Sequence, residues 1–277
     1  MTVRADQQRR ILWPERIAYA NGMLLDEADF QVEQSYHRGR LALLNRYLHG
    51  TGTVVGLNVD VDTVDPQMVV VAPGLGIDRA GRVIESPLPL CLRLDRWFED
   101  RLTENPSALS QSFRTGDGTT PDHVVVDVFI GFRECEIAKR PAFSRGDFDA
   151  LGAVAPQRLR DAVEATLVIR TEADPPLPNL DPPALTGTGE ARRSALDELK
   201  RTEGWVEDAW WGGVDGLLAL DREHTEDSNP ADIFLARLVV PATAGDPPAF
   251  NPAVAPVADN SRRRMIYTPA DLQALGG

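Results

Sequence analysis

Four histidines and two cysteines are the side chains of this 277-residue chain best suited to metal or nucleophilic chemistry. His37, His49, His123 and His224 are scattered, and none forms an HExxH pair that would set two imidazoles on one helix face. Neither Cys91 nor Cys135 has a companion at zinc-ligand spacing, so no metal site and no cofactor is expected. Cys135 stands between Glu134 and Glu136, whose charge raises a thiol pKa and disfavours the thiolate a nucleophile needs. A Cys–His nucleophile would need one of these cysteines beside His49 or His123, which the sequence does not establish. There is no G-x-S-x-G elbow. Gly50, Gly52 and Gly56 resemble a phosphate loop, but they follow a predicted helix and precede a strand. A dinucleotide site needs the reverse order, so that a helix N-terminus meets the phosphates. Gly74-Leu75-Gly76 lacks a third glycine. The 42 carboxylates are too many for a glycosidase pair to stand out, and most are expected at the solvated surface. Arg145-Gly146-Asp147 reads as an ordinary turn. The expectation is a protein that is not an enzyme.

Trp205, Trp210 and Trp211, set among Gly204, Gly212 and Gly213, have a second kind of chemistry open to them. Exposed, they would stack on sugars or anchor an interface. Buried, they are the core of the C-terminal part, which suits the high average burial of tryptophan.

The element with most to position is an amphipathic helix over Asp26–Leu48. Asp26 is its expected N-cap and Asp29 completes a variant capping box. Phe30, Tyr36, His37, Leu41, Leu44, Tyr47 and Leu48 recur at helical spacing, and Gly50 suits the helix end. Within that set, His37, Leu41, Leu44 and Leu48 follow the four–three–four spacing of an a/d seam, which would pair copies of the helix. The alternative is an ordinary surface helix packed on a sheet. An arm containing Trp13 precedes it, suited to docking on a neighbour or to covering a sheet edge.

Beyond Gly52 the period changes to two. Val55, Leu57, Val59 and Val61 alternate with polar residues or glycine in a strand over 53–62. Short strands over 68–72, 75–78 and 82–85 are separated by Pro73-Gly74 and Ala80-Gly81, the punctuation of antiparallel hairpins. Leu88, Leu90, Leu92 and Leu94 alternate next, leaving Cys91 on a polar face or edge. Asp95 is expected to cap a short helix to Leu102, residues 106–122 to form a loop, and 124–132 a central strand. A short helix is predicted after Pro156, then a strand over 166–171. Residues 174–190, DPPLPNLDPPALTGTGE, read as a Pro-rich linker. A helix over 191–202, strands over 234–240 and 265–267, and a last helix capped by Thr268 follow. The predicted class is mainly β, a β-sandwich of short antiparallel strands with an N-terminal amphipathic helix and a few more helices. Its parts are an arm and helix (1–52), a sandwich core (53–173), the linker (174–190) and a C-terminal α+β part (191–277) that is able to complete the same domain.

Composition sets limits on partners. A net charge of -13 repels phosphate backbones, so no nucleic acid is expected. Arg192-Arg193 and Arg262-Arg263-Arg264 are short and read as solvated faces. No apolar run reaches spanning length, so no direct membrane insertion is expected. MTVRADQQRR has no apolar signal core, and the chain is expected in the cytoplasm with reduced cysteines.

The runs GMLLDEADF, EQSYHR, NRYLHGTGTVVGLNV and VVVAPGLGIDRAGRVI, all before Glu85, resemble a family encoded in the clusters of phage-tail-like contractile injection systems. The opening is also similar, more distantly, to the type VI secretion baseplate protein TssK, in which it precedes a β-sandwich shoulder. The resemblance implies a structural baseplate or tail component and supplies no catalytic residues. It implies a homo-oligomer, with a trimer the best fit, in contact with other baseplate or tail subunits. The expected interface is Trp13, Phe30, His37, Leu41, Leu44 and Leu48. The competing expectation is a glycan- or cell-wall-binding β-sandwich that uses the three tryptophans.

Overall fold

The computed structural model describes residues 3–4, 14–141, 154–180, 188–202, 222–226 and 228–275. Strand β1 (Val3–Arg4) and helix α1 (Glu27–Leu44) come first, and α1 runs on into a π-helical turn at Asn45–His49. The capping box at Asp26 forms as its residue types dictate: Ala28 N and Asp29 N donate to Asp26 Oδ1, and Asp26 N donates to Asp29 Oδ2 at 2.9 Å.

Six short strands follow: β2 (Gly52–Gly56), β3 (Val59–Val61), β4 (Met68–Val71), β5 (Gly74–Ile77), β6 (Val83–Ser86) and β7 (Leu90–Arg93). They pair antiparallel as β2-β5-β6 and β3-β4-β7. Leu57 N donates to Pro73 O at 3.3 Å and Ala72 N to Asn58 O at 2.7 Å, so the hydrogen bonding continues between the two ladders. The six strands are thus one three-ribbon meander, bent in the middle. Gly56 and Gly74 face each other at the bend. A Cβ on Gly56 would lie 2.1 Å from Pro73 O, and one on Gly74 would lie 2.4 Å from Val55 O. A bulge between Thr53 and Val55 shifts the alternation, so Thr53 is buried and Val55 exposed. Leu57 and Val59 face the core as expected.

Helix α2 (Leu94–Glu104) begins one residue before Asp95, so Asp95 is not its cap; it lies in the first turn and binds Arg93. The stretch expected to be a loop contains α3 (Pro106–Ser112), started by the Asn105 cap and Pro106 at its first position. β8 (Phe113–Arg114) follows. The central strand is β9 (His123–Pro141). β10 (Val154–Ile169) pairs with it from Val154↔Pro141 to Ile169↔Val126, and this ladder replaces the helix expected after Pro156. Helix α4 (Glu190–Thr202) leads towards β11 (Ile233–Thr243), which takes the other side of β9, with β12 (Ala249–Phe250) and β13 (Val257–Asp259) on β11. The expected strand over 265–267 is reduced to a single parallel bridge, Thr53↔Met265. Helix α5 (Pro269–Leu275) starts at Thr268, as its Thr-Pro-x-Asp pattern requires.

The protein is therefore mainly β, with antiparallel sheets and added helices. One core joins Leu57, Val59, Val69, Val71 and Ile84 of the meander to Val124, Val126, Val128 and Ile130 of β9 and Leu235, Leu238 and Val240 of β11. Phe98 of α2 and Leu109 of α3 close one end. Each such side chain contributes about 1.5–3 kcal/mol on burial. The segments before and after the Pro-rich stretch share this core.

Candidate assembly surface

Helix α1 rests on the β5–β6 turn. Asp78, fully buried, shapes that turn: its Oδ1 accepts from Ala80 N at 2.9 Å and Arg82 N at 2.8 Å, and its Oδ2 accepts from Arg82 Nε at 2.6 Å. Burial pushes the Asp78 carboxyl above the usual range, and Arg82 opposes that shift. The turn ends on Gly81 at φ +84, where a Cβ would lie 1.9 Å from Ala42 O. The helix backbone therefore sits directly on a glycine, and Ala42 is the one buried residue of α1 among those described. Asn45 Nδ2 donates to Gly81 O at 3.0 Å, the Arg46 guanidinium to Arg79 O, and Arg38 Nη2 to Glu134 Oε1 at 2.8 Å. All these anchors come from the C-terminal half of α1 or the turn beyond it. The N-terminal half is met by the chain leading into it, through Ile17 N donating to Glu33 Oε2 at 3.2 Å.

The anchoring leaves the apolar stripe outward. Phe30 is 53% exposed, Leu41 55%, Leu44 53% and Leu48 71%. His37 shares that face, with its Nε2 3.0 Å from Glu33 Oε1 and its ring edge-on to Tyr36. At 100° per residue, Phe30, His37, Leu41 and Leu44 lie within about 60° of one another. Leu48 lies in the π-helical turn, next to Leu44 at the edge of this face. Gln34, exposed, completes the seam between Phe30 and His37. Its four-residue spacing from Phe30 is the signal by which it is found, although its polarity hides it from a search for apolar residues. Tyr19, Met23 and Leu24, ahead of the helix start in the chain, are exposed as well. A groove of about 110 Å³ runs beside the stripe, between Leu41 and Ala42 on one side and Val83, Phe132 and Asp161 on the other. Exposed apolar residues rimmed by charge are one of the marks of an interaction site.

Trp13, Trp205, Trp210 and Trp211 lie outside the described residues. Cys91 is exposed on edge strand β7 and Cys135 buried on β9, both as free thiols. His123 Nδ1 is 2.9 Å from Pro121 O, and His224 Nε2 is 3.0 Å from Asp232 O, so both rings serve backbone carbonyls. Among the described residues no group of three or more His, Cys, Asp and Glu side chains is placed to hold a metal ion. Among the same residues no helix is long and apolar enough to cross a membrane.

A buried ion cluster escapes sequence reading altogether. Asp127 on β9 faces Arg237 on β11, which donates to Oδ1 at 2.7 Å and Oδ2 at 2.9 Å. Arg170, fully buried, adds a bond to Oδ2 at 3.0 Å. Burial pushes the Asp127 carboxyl up while both guanidiniums oppose the shift. Arg237 also donates to Pro175 O at 2.7 Å and Pro176 O at 3.2 Å. Arg170 also donates to the Glu172 carboxylate and to Glu223 O, and through Arg237 the cluster holds the start of the Pro-rich segment on the sheet.

Comparisons with protein-family models, curated proteins and solved structures gave no match.

Proposed function

We propose that this protein is a non-enzymatic structural subunit of a phage-tail-like contractile particle, at its baseplate or as a fibre adaptor, and that it acts by assembly. The single observation that carries the assembly reading is the outward apolar stripe Phe30–Leu41–Leu44 on a helix whose adjoining face, at Arg38, Ala42 and Asn45, is fixed to the β body. Within one chain such a stripe costs solvation free energy and returns nothing; covered by a neighbour it becomes the driving surface. The choice of particle rests on the N-terminal runs that resemble injection-system proteins. The bent meander and the β9–β11 sheet supply a rigid body behind the helix.

Contractile particles purified from producing cells should contain the chain at a fixed copy number per particle. Antibody against it should decorate the baseplate end. Particles that are complete and contractile without the chain would overturn the assignment.

A further inference from the structure

We infer that the N-terminal strand β1 is exchanged between copies of the chain, each copy laying its arm on β9 of the next. This rests on the assembly reading above and names the element that links the copies. β11 pairs with β9 from Pro241↔His123 to Ile233↔Ile130 and goes no further. β10 holds the opposite side of β9 as far as Pro141. The side of β9 that β11 leaves after Ile130 is therefore a slot for one more strand, whose backbone groups need a partner. β1 enters that slot with two residues, Val3↔Cys135 and Arg4↔Glu134, and Glu134 and Cys135 are buried there.

The rest of the arm finds little to rest on in its own chain. From Pro14 to Asp26 no residue is buried, and only Ile17 and Leu25 are half-buried. Tyr19 is 62% exposed and Leu24 93%. An arm that belonged on its own body would bury such side chains. The connection is also longer than an in-chain path requires. Arg4 lies opposite Glu134, which holds Arg38, and Ile17 is held by Glu33. Glu33 and Arg38 are about 7 Å apart along the helix. The chain from Arg4 to Ile17 can extend to about 40 Å, and the surplus reaches a neighbour. The slot lies beside the open face of α1, because Arg38 ties the helix to Glu134. A neighbour that covers Leu41 and Leu44 therefore approaches the same stretch of β9. Exchange keeps every β1–β9 bond and changes only the chain that supplies it. Passed from each copy to the next, the arm makes a head-to-tail contact that closes a ring, and a ring of three fits it.

The test is disulfide trapping with Val3→Cys in the full chain carrying Cys91→Ser, so that the native Cys135 is the other thiol. Opposed residues of antiparallel strands have Cα atoms about 4.5–5.5 Å apart, within the roughly 7 Å that a disulfide spans. The protein is oxidised at the concentration at which light scattering shows the oligomer, then denatured and run without reductant. Exchange predicts covalently joined chains, up to the full oligomer mass, that separate on reduction and are absent when Cys135→Ser is added. A disulfide closed within single chains, in a protein of intact oligomer mass, would overturn the exchange and leave the assembly reading standing. An oligomer with no disulfide of either kind would remove the β1–β9 pairing, and the exchange with it. A monomer mass for the Cys91→Ser protein at every concentration would overturn the assembly reading itself.

Discussion

Helices α1 and α2 carry the same kind of sequence signal and meet opposite ends. In α2, Leu94 and Phe98 are buried, and Trp97 and Leu102 pack on the same core. Trp97 Nε1 donates to Leu167 O at 3.3 Å, and the Phe98 ring lies 5.8 Å from that of Phe250. In α1 the apolar stripe points to solvent, and Ala42 alone of its residues is buried. The helix ends differ in the complementary sense. α1 has a full capping box, whereas α2 starts at Arg93 with no side-chain cap. A helix whose face is covered by its own sheet is held by packing. A helix without that cover depends on its local chemistry. Amphipathic spacing states that a face will be buried; it does not state by which chain.

The sharpest way to break this contrast is to truncate one apolar residue on each helix. Phe98→Ala should cost about 3–5 kcal/mol, from lost transfer energy and the cavity left behind. Leu44→Ala should change monomer stability by less than about 0.5 kcal/mol, as at other surface positions. Urea midpoints measured on dilute protein would show it, and equal losses would mean that α1 is packed like α2. Gly81→Ala comes next. The new methyl group meets Ala42 O, and the positive φ alone costs about 1–2 kcal/mol. Amide exchange should speed up over residues 38–46 and stay unchanged over α2. Asp26→Ala should cost about 1 kcal/mol of helix stability, read as faster exchange in the first turns of α1. Arg93→Ala removes no cap from α2, only the exposed pair with Asp95, and should change exchange in α2 less than Asp26→Ala changes it in α1.

The smallest effect concerns acid. Two Arg93 nitrogens donate to the Asp95 carboxylate at 2.7 Å and 3.0 Å, and this holds its pKa down at about 2. The folded value is depressed, so the pair's contribution is complete above the ordinary carboxylate value and is lost as pH falls through about 2. Carboxyl chemical shifts should titrate accordingly, and Arg93→Gln should return Asp95 towards the usual range. An Asp95 midpoint unmoved by that substitution would refute the pairing.

Much of this architecture was legible in residue types. Asp26 and Asp29 announce the start of α1, and Thr268, Pro269 and Asp271 that of α5. Ala80-Gly81 closes the β5–β6 hairpin as expected, whereas Pro73-Gly74, expected to close another, bends one continuous ribbon, because β4 pairs with β3 and β7 and β5 with β2 and β6; the β-branched run from Val124 marks the central strand. Where the reading failed, longer-range interactions decided. Leu159, Ala162 and Val163 are spaced to suit a helical turn, but pairing with β9 made them strand. Val55 belongs to the apolar alternation until a bulge turns it outward. Asn105-Pro106 is a sound helix start hidden in a stretch of loop-like composition. Of the expected interface, Phe30, His37, Leu41 and Leu44 do share one face, because helical phase is a local property. Leu48 lies in the π-helical turn that begins at Asn45, a change of helical phase that no spacing rule anticipates. Asp127, Arg170 and Arg237 are far apart in sequence, and only the sheet register brings them together.

The central claim is that the face of α1 left open by its own chain is covered by another. The most direct test is the mass of the protein in solution by light scattering over a range of concentrations, for the wild type and for Leu41→Ser/Leu44→Ser side by side with circular dichroism. The account predicts a defined oligomer for the wild type and a folded monomer with an unchanged spectrum for the variant. A wild-type monomer at every concentration, or a variant that loses its fold instead of its partner, would contradict it.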